Sequence, residues 1–454
     1  MVFSAGNQNR QAVVMPVTRL ISIVICTAFP VAVGHMALAE NWPQWRGPRF
    51  DGTSLASNLP TTWSREENVL WRMEMPGPAA STPVVWGDRI FLTSTKKGTE
   101  SLVVLSLDRS GKLQWSYEVG HGTQKLPNRL AHETTPASPS PVTDGRHVWT
   151  LFGTGTLVKL NYSGDELWRV DLVARYGRVN NYFGLSMSPL LYEKRLVLQL
   201  LHTDAQLIVA LDAATGEETW KQERPTNARQ ECRHSYASPT PLIPAPGVDG
   251  QVLIHGADYI TGHRILDGEE VWRYGTINPA DSYNPSLRLV STPIAVEGLV
   301  IVPTAKRGPV YGLRPGDFRG SIAKGTEQFV WELERGTPDV PSPLVFGGLV
   351  YLSGERGTLT VLDLDSGEVV YDERVHQSTH RGSPVHADGK IFLVGTDGTV
   401  SVIRPGRKFE VLAKNELGER LSASPAISGD TIYLRTYEAL YAIGQSGDTT
   451  EAAP

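Results

Sequence analysis

Arginine, histidine, asparagine and tyrosine crowd into a few connecting segments of this chain rather than spreading along it. One segment carries Arg129, His132 and Glu133, and a second carries Arg178, Asn180, Asn181 and Tyr182. A third holds Arg224, Arg229, Glu231, Arg233 and His234, and a fourth holds Asp281, Tyr283, Asn284 and Arg288. His376, His380 and Arg381 form a smaller fifth group. Forked guanidinium donors beside amides, imidazoles and phenols suit an anionic or polyhydroxylated ligand. The binding candidates are therefore Arg129, His132, Asn181, Tyr182, Arg224, Glu231, His234, Arg288, His380 and Arg381. The same residue types also make an ordinary solvated loop, which is the competing expectation.

Other chemistry finds no foothold. The chain has no zinc spacing of cysteines, no His-Glu-x-x-His, no P-loop and no Gly-x-Ser-x-Gly elbow. Gly153-Thr154-Gly155 lies in a strand-to-strand turn rather than opening a helix, so it is not a dinucleotide fingerprint. Carboxylates are plentiful, but sequence alone pairs none at catalytic distance. No catalytic residue and no metal ligand is assigned. A net charge of -5 argues against a nucleic-acid surface.

The elements that must position these segments repeat. Eight Ser/Thr-Pro elements open pairs of apolar strands, and their anchors are Pro83, Pro141, Pro189, Pro241, Pro293, Pro343, Pro384 and Pro425. Proline gives no N–H to a ladder and is tolerated as the first residue of a strand. Glycine-containing turns follow (Gly87-Asp88, Asp388-Gly389, Gly429-Asp430), then apolar strands such as Ile90-Phe91-Leu92 and Ile432-Tyr433-Leu434. Each unit closes on an outer strand with Trp115, Trp168, Trp220, Trp272 or Trp331, or with Tyr371 or Phe409 as substitutes. A repeat of this length, built of short strands, is a β-propeller blade. The 44 glycines and 31 prolines suit an all-β chain rich in turns.

The last unit supplies only three strands, ending at Leu440-Tyr441-Ala442-Ile443. The missing strand stands before the first unit, at Asn68-Val69-Leu70-Trp71-Arg72-Met73. The expectation is an all-β, eight-bladed β-propeller over residues 68–445, its ring closed by an N-terminal strand so that no sheet edge is left open. The connections after Trp115, Trp168, Trp220 and Trp272 run to about 21–26 residues and leave one face. Long loops on a rigid scaffold are where binding residues gather.

Residues 1–39 read as an export signal: Arg19, an apolar run from Leu20 to Val33, and Ala37-Leu38-Ala39 before Glu40. Met15 is an alternative start. Ile25 stands where a small residue should precede a lipid-bearing Cys26, so lipidation is not expected. Once the signal is cut, Cys232 is the lone thiol and no internal disulfide can form. Residues 40–67 are expected as an extended segment pinned against the propeller's side, and 446–454 as a disordered tail. No later stretch is apolar enough to cross a bilayer.

At the tryptophan strands the chain resembles a known family. Ala210-Leu211-Asp212-Ala213-Ala214-Thr215-Gly216-Glu217-Glu218-Thr219-Trp220 matches the AxDxxTGxxxW docking motif of pyrroloquinoline-quinone (PQQ) repeat propellers. The leader Trp42-Pro43-Gln44-Trp45-Arg46-Gly47-Pro48 looks like that of exported PQQ-like proteins of planctomycete-type bacteria. The resemblance implies that Trp71, Trp115, Trp168, Trp220, Trp272 and Trp331 dock blade on blade, with Asp212 and Gly216 shaping the turn. It also implies a choice of activities. Alcohol-oxidising members of the wider superfamily carry adjacent cysteines, a calcium-binding Glu/Asn/Asp set and sometimes a haem-attachment motif, and this chain shows none of the three. The expectation is an exported, monomeric, non-catalytic propeller of the periplasm or cell envelope, without cofactor, holding a protein or glycan partner on its loop-rich face. In this it is similar to the outer-membrane-assembly lipoproteins. The alternatives are a PQQ-dependent oxidoreductase, with calcium, and a carbohydrate-active enzyme with acidic residues around the axis.

Overall fold

Eight antiparallel sheets stand around one axis, each built by the strand-turn-strand pattern of a single repeat. The first blade runs from the inner strand Val84–Trp86 through Arg89–Thr95 and Ser101–Asp108 to the outer strand Leu113–His121. The computed structural model describes Met1 and residues 40–122, 135–243, 250–275 and 277–445. Apart from Met1, these lie in the unit Leu38–Pro454. The expected export signal and the tail lie outside the described residues.

The ring closes as the sequence predicts. Val69–Glu74 pairs antiparallel with Ala439–Ile443, from Val69 opposite Ile443 to Glu74 opposite Ala439. It completes the blade of Ala426–Ser428 and Thr431–Arg435. The inner three strands of each blade are apolar and buried, while outer strands such as Val69–Glu74 alternate half-buried with exposed residues. One blade gains a fifth strand, Gly320–Ser321, parallel to Glu270–Tyr274.

The seams show why tryptophan and glycine recur. A Cβ on Gly111, Gly164, Gly216, Gly268 or Gly367 would lie 2.5–3.0 Å from ring atoms of Trp71, Trp115, Trp168, Trp220 or Trp331, respectively, each from the preceding blade. These glycines also have positive φ, between 71° and 92°, so the turn excludes other residues twice over. Nε1 of Trp71, Trp115, Trp220 and Trp331 donates to the carbonyl of Arg109, Tyr162, Ile265 and Leu364 across the seam. Asp212 Oδ1 accepts the N–H groups of Ala214 and Thr215, fixing the turn that receives Trp168. Trp272 departs from this scheme. Its Nε1 donates to Gln251 of its own blade and its ring covers Gly262. Phe409 sits just before its outer strand, Val411–Glu416, and meets Tyr371 at 5.8 Å. Truncating Trp220, 8% exposed, empties one seam. Trp220→Ala is expected to cost about 3–5 kcal/mol in urea unfolding; an unchanged midpoint would contradict the seam role.

At the axis, the Ser/Thr before each proline builds a ring. The backbone N–H of Thr82 donates to Ser140 Oγ, Ser140 to Ser188, Ser188 to Ser238 and Ser238 to Thr292, at 2.9–3.0 Å. Thr292 continues to Ser342, Ser342 to Ser383 and Ser383 to Ser424, each at 2.9 Å. Proline biases the residue before it toward extended backbone, which turns each hydroxyl toward the preceding blade. This ring corrects one anchor: Ser238-Pro239, not Thr240-Pro241, is the equivalent pair. Thr240 and Pro241 already lie in the inner strand Thr240–Leu242.

The leader does not lie against the propeller's side. It enters the channel as a hairpin. Trp42 exchanges both backbone hydrogen bonds with Val85, and the Pro43 carbonyl accepts from Thr143 N–H. The chain turns at Gly47 and returns along the inner strand Val385–Ala387, where Gly52 and Ser54 bracket His386. Leu59 and Trp63 then bind Asp388 and Asn415 on the way to Val69. Trp42 is fully buried. The cause is the unpaired edge of the short inner strands, which a second extended segment satisfies.

Candidate functional site

The loop-rich face opens into a chamber of about 240 Å³ on the axis. Its sides are the Ser/Thr ring, with Ser138, Ser186 and Ser422 above it, and its floor is Trp45 at the tip of the leader hairpin. Phe183 and Tyr236 form one apolar wall, and Arg288, Asp339 and Arg381 face the opening. Trp45 is half-buried, and the Arg46 guanidinium lies 5.5 Å from its ring.

Arg46 sets the height of this floor. Its guanidinium is buried and donates to the carbonyls of Pro343, Pro384 and Asp51 at 2.7–2.9 Å. Burial lowers its pKa to about 10, with Asp51 opposing. The group therefore stays charged at neutral pH, its charge met by oxygen dipoles.

Above the ring, the connecting loops hold one another. Tyr182 packs edge-on against His234 at 5.0 Å, and Phe183 against Tyr236 at 5.1 Å. The Arg288 guanidinium lies 5.4 Å from the Phe183 ring and pairs with Glu231 at 3.5 Å. Asp339 then gathers Arg381 at 3.2 Å, and Arg288 and Lys306 each at 3.6 Å. Lys306 also pairs with Glu355 at 2.5 Å. Deeper, Tyr283 donates to Asp258 at 2.6 Å while Arg229 stacks on the Tyr283 ring at 4.0 Å. Asp258 is buried, which raises its pKa. Packing between loops, rather than solvation, fixes this face.

The structure thus brings Tyr182, Glu231, His234, Arg288 and Arg381 into one lattice. Asn181 stays local, donating to the Gly184 carbonyl. His234 is 2% exposed and bonds Thr203 Oγ1 at 2.9 Å; burial lowers its pKa to about 4. His380 is fully buried beneath the rim, 2.6 Å from Ser353 Oγ. Arg224 is not on the face. It is 1% exposed and donates to Thr261 Oγ1 and to the carbonyls of Gly256 and Tyr259. Three oxygen acceptors of the next blade satisfy it, and burial lowers its pKa to about 9. Arg129 and His132 lie outside the described residues. Cys232 is buried and its thiol pKa raised by burial, as an inert core cysteine requires.

Sequence reasoning missed Trp45, Asp339 and the hydroxyl ring. The Ser/Thr before each proline was the available signal for the ring; Asp339 sits in a connection of ordinary length that offered none.

The chamber also bears on cofactors. Asp339 is its one lining carboxylate among the described residues, and three cations already face it. Calcium takes six to eight oxygen ligands and favours carboxylates, so this set does not fit it. Nor does one cation-bound carboxylate supply the acid–base pair of a glycosidase.

A family model described as "Outer membrane protein assembly factor BamB" matches residues 129–307, 229–400 and 320–451 in three overlapping stretches. The chain belongs to this family. An outer membrane protein assembly factor BamB of Alteromonas naphthalenivorans is 24% identical over 278 residues, 57% of this chain and 58% of that protein. The chain thus spans less than two thirds of that relative's length. The crystal structure of BamB from Moraxella catarrhalis is 15% identical, with a TM-score of 0.59, covering 84% of this chain and 98% of that one. A europium-containing methanol dehydrogenase is 12% identical, with a TM-score of 0.65, covering 88% and 90%. At these identities the two structures share the fold alone with this PQQ-like, BamB-family propeller.

Proposed function

We propose that this BamB-family chain is an exported propeller that acts by binding, holding a protein partner of the cell envelope on its loop-rich face. The observation that carries this reading is the interlocked loop lattice from Tyr182 to Arg381, a preformed rigid surface confined to one face. Pre-organisation lowers the ordering cost of association. Its relatives, named as outer membrane protein assembly factors, support a partner of that kind. Among the described residues, no helix is long and apolar enough to cross a membrane.

The test is photo-crosslinking in the native envelope. A photoreactive residue at Tyr182, 54% exposed on the loop-rich face, should give a discrete protein adduct. The same residue at Leu266, 58% exposed on a turn of the opposite face, should not. Equal adducts from both positions, or none from Tyr182, would overturn the face assignment.

A PQQ-dependent oxidoreductase is the second reading, favoured by the axial chamber with its tryptophan floor. It needs calcium beside the quinone, and Asp339 with its three cations opposes that. Calorimetric titration with PQQ is expected to show no calcium-dependent heat; saturable binding that requires calcium would instead establish the redox reading.

A further inference from the structure

We propose that the axial chamber binds one carboxylated sugar ring, of the hexuronate class. The chamber lies beneath the rim on which a protein would be held and shares Arg288 and Arg381 with it. Its size suits a single small ring: small-molecule pockets generally run from about 300 to 1,000 Å³, and this one, at about 240 Å³, lies below that range with Trp45 across its floor.

Three features specify the chemistry. Seven hydroxyls of the ring accept a backbone N–H from the neighbouring blade, and none donates its own proton to a protein acceptor among the described residues. All seven line the chamber. Each can give a proton and still accept at a second lone pair, which matches the donor-and-acceptor demand of a polyol. Trp45 supplies a flat apolar plate for the C–H face of a pyranose. At the opening, the side chains of Arg288 and Arg381 are 33% and 17% exposed, whereas the Asp339 carboxylate that holds them is only 5% exposed. The chamber therefore presents guanidinium rather than carboxylate, and a guanidinium fork takes a ligand carboxylate. A neutral sugar would leave that fork unused. A bare carboxylate would leave the ring and the plate unused.

Isothermal titration of the purified protein with glucuronate, glucose and acetate at matched ionic strength tests the assignment. Glucuronate should bind saturably, glucose at least tenfold more weakly, and acetate not at all. Arg288→Gln should weaken glucuronate at least tenfold while leaving the unfolding midpoint in place. Trp45→Ala should weaken glucuronate at least tenfold, and Trp45→Phe, which keeps the plate and spares the hairpin, should restore most of that loss. Absence of saturable glucuronate binding, equal affinity for glucose and glucuronate, or an Arg288→Gln variant with unchanged affinity would each overturn the proposal. None of these results depends on the crosslinking experiment, so either reading can fail alone.

Discussion

Replacing Arg46 with alanine lowers the unfolding free energy by about 3–5 kcal/mol and lowers the urea midpoint in proportion. The magnitude follows from what the side chain leaves behind. Two buried carbonyls, of Pro343 and Pro384, and the part-buried carbonyl of Asp51 lose their donor together, and each unsatisfied buried acceptor costs about 1–3 kcal/mol. The side chain is only 4% exposed, so water does not readily replace it. Partial relaxation of the hairpin keeps the total below the simple sum. Arg46→Lys should recover only part of the loss, because one ammonium on a flexible stem cannot serve three divergent acceptors as a planar fork does. If Arg46→Ala unfolds at the wild-type urea concentration, the leader does not anchor the ring. Stabilising ties at Trp42, Leu59 and Trp63 remain in the variant, so it should still fold.

The architecture could be read from the sequence because each blade repeats a local rule: proline where no N–H is needed, glycine where a neighbouring tryptophan needs room, alternation on the outer strand. Even the borrowed strand at Val69–Glu74 followed from counting. The single misplaced anchor shows the limit of such counting. Ser238-Pro239-Thr240-Pro241 contains the motif twice, two residues apart, and a strand of period two accepts either register. Only the hydrogen bonds of Ser238 to Ser188 and Thr292 decide between them.

The site was less legible, for a different reason. Loop length and polarity located the elaborated face, but polarity is not exposure. Arg224 looked like its neighbours Arg229 and Arg233 and is instead enclosed by oxygens of the next blade. Asp339 became central only because consecutive blades close around the axis and bring Arg288, Lys306 and Arg381 to it from three separate segments. Trp45 reaches the axis through pairing of the leader with two inner strands, at Val85 and at His386, and no local pattern encodes that.

Acidification from pH 7 to pH 5 should destabilise this protein far more than carboxylate protonation alone would. Burial, the largest cause at every site, lowers the pKa of His255 and His380 to about 3 and of His234, His263 and His386 to about 4. Nearby Arg224 lowers His255 and His263 further, and His376 does the same to His380. His202 and His376 shift in the same direction. In the unfolded chain each imidazole returns to an ordinary pKa near 6.5. Between that value and the folded one, the unfolded state holds the extra proton, so stability falls as pH falls. The contribution is whole above about pH 6.5 and is consumed on the way down to pH 3–4. Each histidine can reach a slope of about 1.4 kcal/mol per pH unit in that window, and five acting together rival the total stability of a typical domain, about 5–15 kcal/mol. Urea unfolding across pH 7, 6 and 5 should therefore reveal uptake of several protons on unfolding. His255→Leu should remove close to one proton from that slope, since the site is fully buried in the native state. A stability that stays level from pH 7 to pH 5 would show that these imidazoles are not held neutral in the folded protein.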